Sequence, residues 1–289
     1  MTATATRTAL LMAALIALLG IGGWAFAGSR GLVAMALVGL AINFGAYWFS
    51  DRLALLANGA QPVSRDEAPA LYAIVESLTA QAGMPMPSIH LIPSPSPNAF
   101  ATGRGPDHAA VAVTEGLLRI VDRRELTGVL AHELSHVRNR DVLVATVAAG
   151  IAGVISTIGY ALQFGLMFGG LSGNDREDRR GSPLAMIAWV VVAPIIAMLL
   201  QLAISRAREY GADASGARLT GDPDGLADAL ERIEGAAQRR PDELGGPATA
   251  HLFIVNPLRG RSMLSWLSTH PPVEDRVARL RAMAGGGAP

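Results

Sequence analysis

The segment Ala131-His132-Glu133-Leu134-Ser135-His136-Val137-Arg138-Asn139-Arg140-Asp141 contains, at His132 to His136, the pattern H-E-x-x-H. On a helix, residues four apart share a face, so the two imidazoles can converge on one tetrahedral cation with Glu133 beside the water that such a cation holds. Zinc lowers the pKa of that water toward ~7, and a neighbouring carboxylate can take the proton as general base and later pass it to a leaving amine. That chemistry is amide hydrolysis. With 6 histidines in 289 residues, the pattern is expected by chance only about 0.005 times.

The composition agrees with a His/Glu metal site and excludes the alternatives to it. There are no cysteines, so a disulfide framework, a thiol nucleophile, a thiolate zinc site and an iron–sulfur cluster are all out. The 24 basic residues are all arginine, which removes Schiff-base and Ser-Lys chemistry. They are balanced by 24 acidic residues, so nucleic acid is not an expected partner. Hydrophobic residues make up 51% and charged residues 17%, with a mean hydropathy of +0.33. Part of such a chain belongs in lipid.

Working outward from the motif, two charge-free apolar runs follow it, at 142–171 and 183–204, and two precede it, at 8–27 and 31–49. Each is close to or above the about 20 residues that a helical span requires. They read as two transmembrane hairpins, the first turning at Gly28 to Arg30, the second at the polar loop Ser172 to Ser182, with Pro194 as a kink. Ala25-Phe26-Ala27 imitates a signal-peptide cleavage site, but its run exceeds the ~7–15 residues of a signal h-region and a second run follows at once. The second pair also reads as a buried helical hairpin in a soluble core. Arg7, Arg52, Arg65, Arg123, Arg124, Arg138, Arg140, Arg206, Arg208 and Arg218 lie on one side, against Arg30, Arg176, Arg179 and Arg180 on the other. This asymmetry predicts both termini and the polar segments in the cytoplasm.

A catalytic zinc usually has three protein ligands. His90, His108, His251 and His270 are candidates in principle, but Glu209, in Ser205-Arg206-Ala207-Arg208-Glu209-Tyr210-Gly211-Ala212-Asp213, is the better one. It stands five residues after the fourth run, and His136 stands six before the third. With both helices continuing into those runs, the two ligands lie about 7–9 Å beyond the same membrane boundary. Asp213, one turn after Glu209, is placed to accept a hydrogen bond from a ligand histidine, or is a surface aspartate. Asn139 caps or braces the site. Arg206 and Arg208 read as interfacial anchors rather than transition-state stabilisers.

Between the first hairpin and the motif, Asp66 to Ala82 reads as an amphipathic helix with acidic residues in its first turn and Gly83 as its stop. Ser88 to Pro93 and Ala109 to Thr114 read as strands of a small sheet, with Asn98 to Thr102 between them.

These segments resemble HtpX-type membrane zinc metalloproteases, which are related to the CAAX prenyl proteases. The resemblance rests on two N-terminal spans, NAFATG at Asn98 to Gly103, HELSHVRNRD at His132 to Asp141, SRAREYGAD at Ser205 to Asp213 and STHPPVEDRVARL at Ser268 to Leu280. It implies an α-helical membrane protein with an α+β, gluzincin-like catalytic domain, four hydrophobic helices and a small β-sheet. It also implies one Zn2+ held by His132, His136 and Glu209, Glu133 as catalytic base, and a role in cytoplasmic-membrane quality control.

By the same resemblance, Asn98, Ala99, Phe100, Ala101 and Thr102 form the edge strand on which a substrate peptide lies extended, although an ordinary inner strand is also a reading. His270 either stabilises the oxyanion or belongs to a helix start at Thr269-His270-Pro271-Pro272, with Thr269 as N-cap. The expected division is 1–50 for the first hairpin, 51–141 for the first catalytic part, 142–204 for the second hairpin and 205–289 for the second catalytic part. Expected partners are membrane-protein or unfolded polypeptide substrates and the lipid bilayer. The competing functions are a prenyl-peptide protease or exopeptidase, and a non-catalytic membrane scaffold.

Overall fold

The computed structural model describes residues 3–141, 206–239 and 271–286. The chain divides into two units, one of residues 1–48 and 144–201, the other of 49–143 and 202–289. The third and fourth apolar runs, the loop 172–182 and Pro194 lie outside the described residues.

The apolar N-terminal segment forms α1 (Ala3–Ala57), which belongs to the first unit as far as Trp48 and reverses at Ala27 and Gly28 (φ 59). The turn therefore begins one residue before the expected Gly28 to Arg30, because Gly28 supplies the positive φ that L-residues avoid. The two arms meet at Gly23 and Gly31, where a Cβ on either would overlap the carbonyl of the other. Small residues at that crossing let the backbones touch. Asn43 Nδ2 donates to Met12 O across the hairpin at 3.0 Å. Among the described residues one helix, Ala27–Phe49, is long and apolar enough to cross a membrane. Its outer face carries exposed Leu32, Val33, Leu37, Leu40 and Phe44.

The second unit holds a four-stranded mixed sheet of β1 (Gln61–Pro62), β2 (Ser88–Ile92), β3 (Ala99–Gly105) and β4 (His108–Thr114). Its order is β1-β2-β4-β3. β2 and β4 run parallel, while β1 is antiparallel to β2 and β3 to β4. Successive side chains alternate between faces. Val111 and Val113 enter the main core with Ile89, Val129, Leu130 and Leu134, whereas Phe100, Ala112 and Ile92 pack on the opposite face against Ala54, Leu55 and Ala60.

α2 (Pro69–Ala82) ends at Gly83 in the left-handed conformation, as its sequence predicts, but it starts three residues later than expected, without acidic residues in its first turn. Pro69 is pre-set for the first helical turn. Upstream of it, Glu67 folds back to accept from Ser64 N at 2.7 Å and Ser64 Oγ at 2.8 Å.

After α3 (Glu115–Ile120), α4 (Arg123–Asn139) carries the H-E-x-x-H motif and opens with a capping box between Asp122 and Glu125. Arg232 of α6 (Pro223–Arg239) also bonds Glu125, at 2.9 Å, and so fixes the start of α4 to that helix. α4 does not continue into the third apolar run. It stops at Asn139, and Arg140 adopts φ 59, ψ 27, with its N–H turned back to the last carbonyls of the helix.

α5 (residues 206–220) packs across α4 at Gly216, where an added Cβ would stand 2.9 Å from His132 N and 3.1 Å from Ala131 C. Gly216→Ala is expected to push α5 off α4, costing about 1–3 kcal/mol as an overpacked contact. It should lower the melting temperature and weaken metal binding together, and an unchanged melt would refute the close approach. α7 (Val273–Ala284) begins after Pro272, which is its N-cap and makes no side-chain bond. The helix therefore starts later than a Thr269 cap requires, because a residue preceding proline avoids the helical region. Thr269 and His270 lie outside the described residues.

Candidate active site

α4 buries His132 and Glu133 and leaves His136 partly exposed, and α5 brings Glu209 to them from the other half of the unit. His132 Nε2 and His136 Nε2 are 3.2 Å apart. Glu209 Oε2 lies 3.6 Å from His132 Nε2, and its Oε1 lies 3.5 Å from His136 Nε2. Two donors each ~2.0–2.1 Å from a tetrahedral zinc stand about 3.3 Å from one another. The three residues therefore form a preassembled donor triangle of the right size, with one ligand atom from each lying within 4.8 Å of the others.

Asp213, one turn after Glu209, accepts from His132 Nδ1 at 2.9 Å. That bond leaves the Nε2 lone pair directed at the centre of the triangle. Asp213 is in turn held by Arg276 of α7, whose Nε and Nη2 reach its two oxygens at 2.9 and 2.7 Å. The same Nη2 lies 3.5 and 3.4 Å from the two ring nitrogens of His132. Arg276 is 0% exposed.

Burial pushes the Asp213 carboxyl up, but the Arg276 guanidinium and the His132 bond outweigh it and hold Asp213 at about 2. Burial lowers His132, and Asp213 and Glu209 overcome that to raise it to about 9. A cation at Nε2 would displace that proton. Burial is also the main reason that Glu133 is raised above the usual carboxylate range.

Glu133 Oε2 accepts the main-chain N–H of Ala101 at 2.9 Å. β3 is an edge strand among the described residues, with β4 on one side only. Thr114 N donates to Asn98 O at 2.9 Å, and in an antiparallel ladder the hydrogen-bonded pairs alternate. Residues 100 and 102 therefore turn their main-chain groups toward β4, and Ala99, Ala101 and Gly103 turn theirs outward. Within Asn98 to Thr102, Phe100 is committed to the core on the far face, and Asn98 precedes the strand and bonds Thr114 through its main chain. Asn98 to Thr102 is buried throughout, so what the segment directs away from β4 is main-chain groups rather than exposed side chains.

Asn139 is exposed at the end of α4, while the carboxylates at the Nδ1 atoms are Asp213 at His132, 2.9 Å away, and Asp141 at His136, 3.3 Å away. Arg208 is half-buried and donates to Asp141 O at 2.9 Å, so it is a structural clamp rather than a lipid anchor. His90 pairs with Ser88 at 3.1 Å in β2, and His108 is exposed at the start of β4. His251 and His270 lie outside the described residues.

Residues 65–284 match peptidase family M48. The chain belongs to that family. It is 50% identical over 277 residues to a protease HtpX homolog of Syntrophobacter fumaroxidans, covering 96% of this chain and 98% of the relative. The protease HtpX homolog of Pelotomaculum thermopropionicum is 51% identical over 275 residues, covering 95% and 97%. That of Pyrococcus furiosus is 50% identical over 278 residues, covering 96% and 95%. In fold, the chain is similar to the crystal structure of S. mikatae Ste24p, with a TM-score of 0.53 at 19% identity over 86% of this chain and 58% of that one.

As an M48 member the chain is a metalloprotease of the HtpX type. The metal that the family implies fits the residues present, since two imidazoles and one carboxylate, buried and correctly spaced, are a donor set suited to zinc. The M48 match also contains the two side chains that motif reading did not single out, Arg276 and Asp141. Arg276 left a signal. It shares the Val273, Val277, Leu280 stripe that α7 buries, a core position where an arginine needs a buried acid.

Proposed function

We propose that this protein is a zinc-dependent endopeptidase of the bacterial cytoplasmic membrane, cleaving misfolded or damaged membrane proteins at extended segments on the cytoplasmic side. The observation that carries the reading is Glu133, which interacts electrostatically with His132, His136 and Glu209 and accepts the N–H of Ala101. His132, His136 and Glu209 would hold the metal, and zinc there would supply a Lewis acid and a water acidic enough to attack near neutral pH.

The chain's own groups do the rest. A peptide laid along β3 would pair with the outward main-chain groups of Ala99 and Gly103, the Ala101 N–H being held by Glu133, which fixes its backbone without selecting side chains. Glu133 takes a proton from the attacking water and returns it to the amine nitrogen as the C–N bond breaks. Asp213 and Arg276 keep His132 oriented throughout.

The membrane part of the reading is supported by the apolar exposed hairpin, by the paired rings Phe44, Tyr47 and Trp48 near its end, as in an interfacial belt, and by the arginine asymmetry. The division into 1–50, 51–141, 142–204 and 205–289 follows, with lipid and unfolded polypeptide as partners. A substrate that shares the bilayer gains effective concentration without a tight sequence-specific pocket.

The test uses full-length protein in zinc-containing vesicles with a membrane substrate carrying one identical unfolded segment at increasing distances from the bilayer. Preferential cleavage of the proximal copy is expected. Equal rates at all distances, or on a soluble unfolded protein, would overturn the membrane assignment.

A further inference from the structure

We propose that Asp141 is a positioning residue for the metal site, turned back onto His136 by the left-handed backbone of Arg140 and clamped there by Arg208. The inference rests on the reading of His132, His136 and Glu209 as ligands.

Arg140 is the one non-glycine residue with positive φ among the described residues. Its side chain is exposed, and the left-handed region costs an ordinary residue roughly 1–2 kcal/mol. The turn therefore has to be held by what it brings together. In an unbroken helix Asp141 would lie five residues on from His136, ~140° around the axis at ~100° per residue, and would face away from it. The break at Arg140 cancels that rotation and brings Asp141 Oδ2 to 3.3 Å from His136 Nδ1.

A carboxylate only accepts, so Nδ1 donates and the lone pair sits on Nε2, the atom that faces Glu209 Oε1 at 3.5 Å. Both side chains are largely out of solvent, at 14% and 13% exposure. Arg208 Nη1 donates to Asp141 O at 2.9 Å, and Arg208 immediately precedes Glu209. The end of α4 is thus tied to α5 beside two of the three ligands.

The result is one carboxylate behind each imidazole, Asp213 from α5 for His132 and Asp141 from the turn after α4 for His136. Only the first is on a helical face shared with a ligand. The second depends on the backbone conformation of Arg140, two residues before the third apolar run begins.

The experiment measures zinc affinity of full-length protein in detergent by chelator competition, with the visible spectrum of the Co2+ form as a report on ligand geometry. D141A and D141N are expected to bind about 10–100-fold more weakly with an altered Co2+ spectrum, and D141E to recover part of the loss. R140G, which keeps the left-handed backbone without strain, should stay within about threefold of the unmodified protein, and R140V should match D141A. Affinity of D141A within about twofold of the unmodified protein, while H136A loses zinc, overturns this proposal and leaves the ligand set standing. Retention of zinc by H136A overturns the ligand set, and the role of Asp141 with it. Should D141A fail to fold, equal affinity in R140G and R140V overturns the role of the turn.

Discussion

Glu133→Gln is expected to abolish measurable peptidase activity while leaving zinc bound. The glutamine has the same shape, and its Oε1 can still accept the Ala101 N–H that Glu133 accepts at 2.9 Å, so the edge strand and the donor triangle stay in place. What it cannot do is take a proton. Removal of a general base costs about 10²–10⁴-fold in rate, and here the same group also protonates the departing amine. His132→Ala, His136→Ala and Glu209→Ala should behave differently, losing zinc along with activity, since each removes one of the three donors. Metal content and turnover measured on the same preparations separate the two classes. Full activity in Glu133→Gln would refute the mechanism. Retention of both metal and rate in Glu209→Ala would require another ligand, with His251 and His270 the remaining candidates.

The second large effect is expected at Arg276, 144 residues from His132 in sequence and in contact with its ring. Arg276→Met removes the cation but leaves Asp213 buried at 3% exposure. Breaking a buried pair from one side costs about 3–5 kcal/mol, on the order of 10 °C in melting temperature.

The charge state predicts a pH signature as well. Burial opposes ionisation of Asp213, and Arg276 overcomes it to hold the carboxyl at about 2. A depressed carboxyl contributes stability that is present above its unfolded pKa near ~4 and lost as pH falls through the folded value. In Arg276→Met that acid-side loss should move to higher pH. The double variant Arg276→Met with Asp213→Leu removes both charges and should recover much of the melting temperature. It should stay about 10–100-fold weaker for zinc, because His132 has lost the group that orients it. A melt of Arg276→Met within a degree or two of the unmodified protein would refute the assignment.

The groupings that residue order alone anticipates are those whose members share a helix or a strand. His132 and His136 meet because they are four apart, and Asp213 follows Glu209 by the same interval, so helical period alone places each pair on one face. The apolar N-terminal pair of runs and the Gly83 helix stop are legible for the same reason, since hydrophobic content and a left-handed cap are local properties. The segment at Asn98 to Thr102 is legible as a strand, but which of its main-chain groups are free depends on its pairing with β4.

Order along the chain by itself therefore determined the set of groups, two imidazoles and a carboxylate on one helix with a second carboxylate after the last apolar run. Tertiary structure alone decided how that chemistry is held. Arg276 compensates Asp213 only because α7 packs beside α5, and no periodicity links residues 63 positions apart. Asp141 reaches His136 only because Arg140 leaves the helix, and a non-glycine residue at φ 59 carries no compositional mark. Faces are written in local spacing, whereas buried charge balance and backbone reversals are set by which distant elements the core brings together.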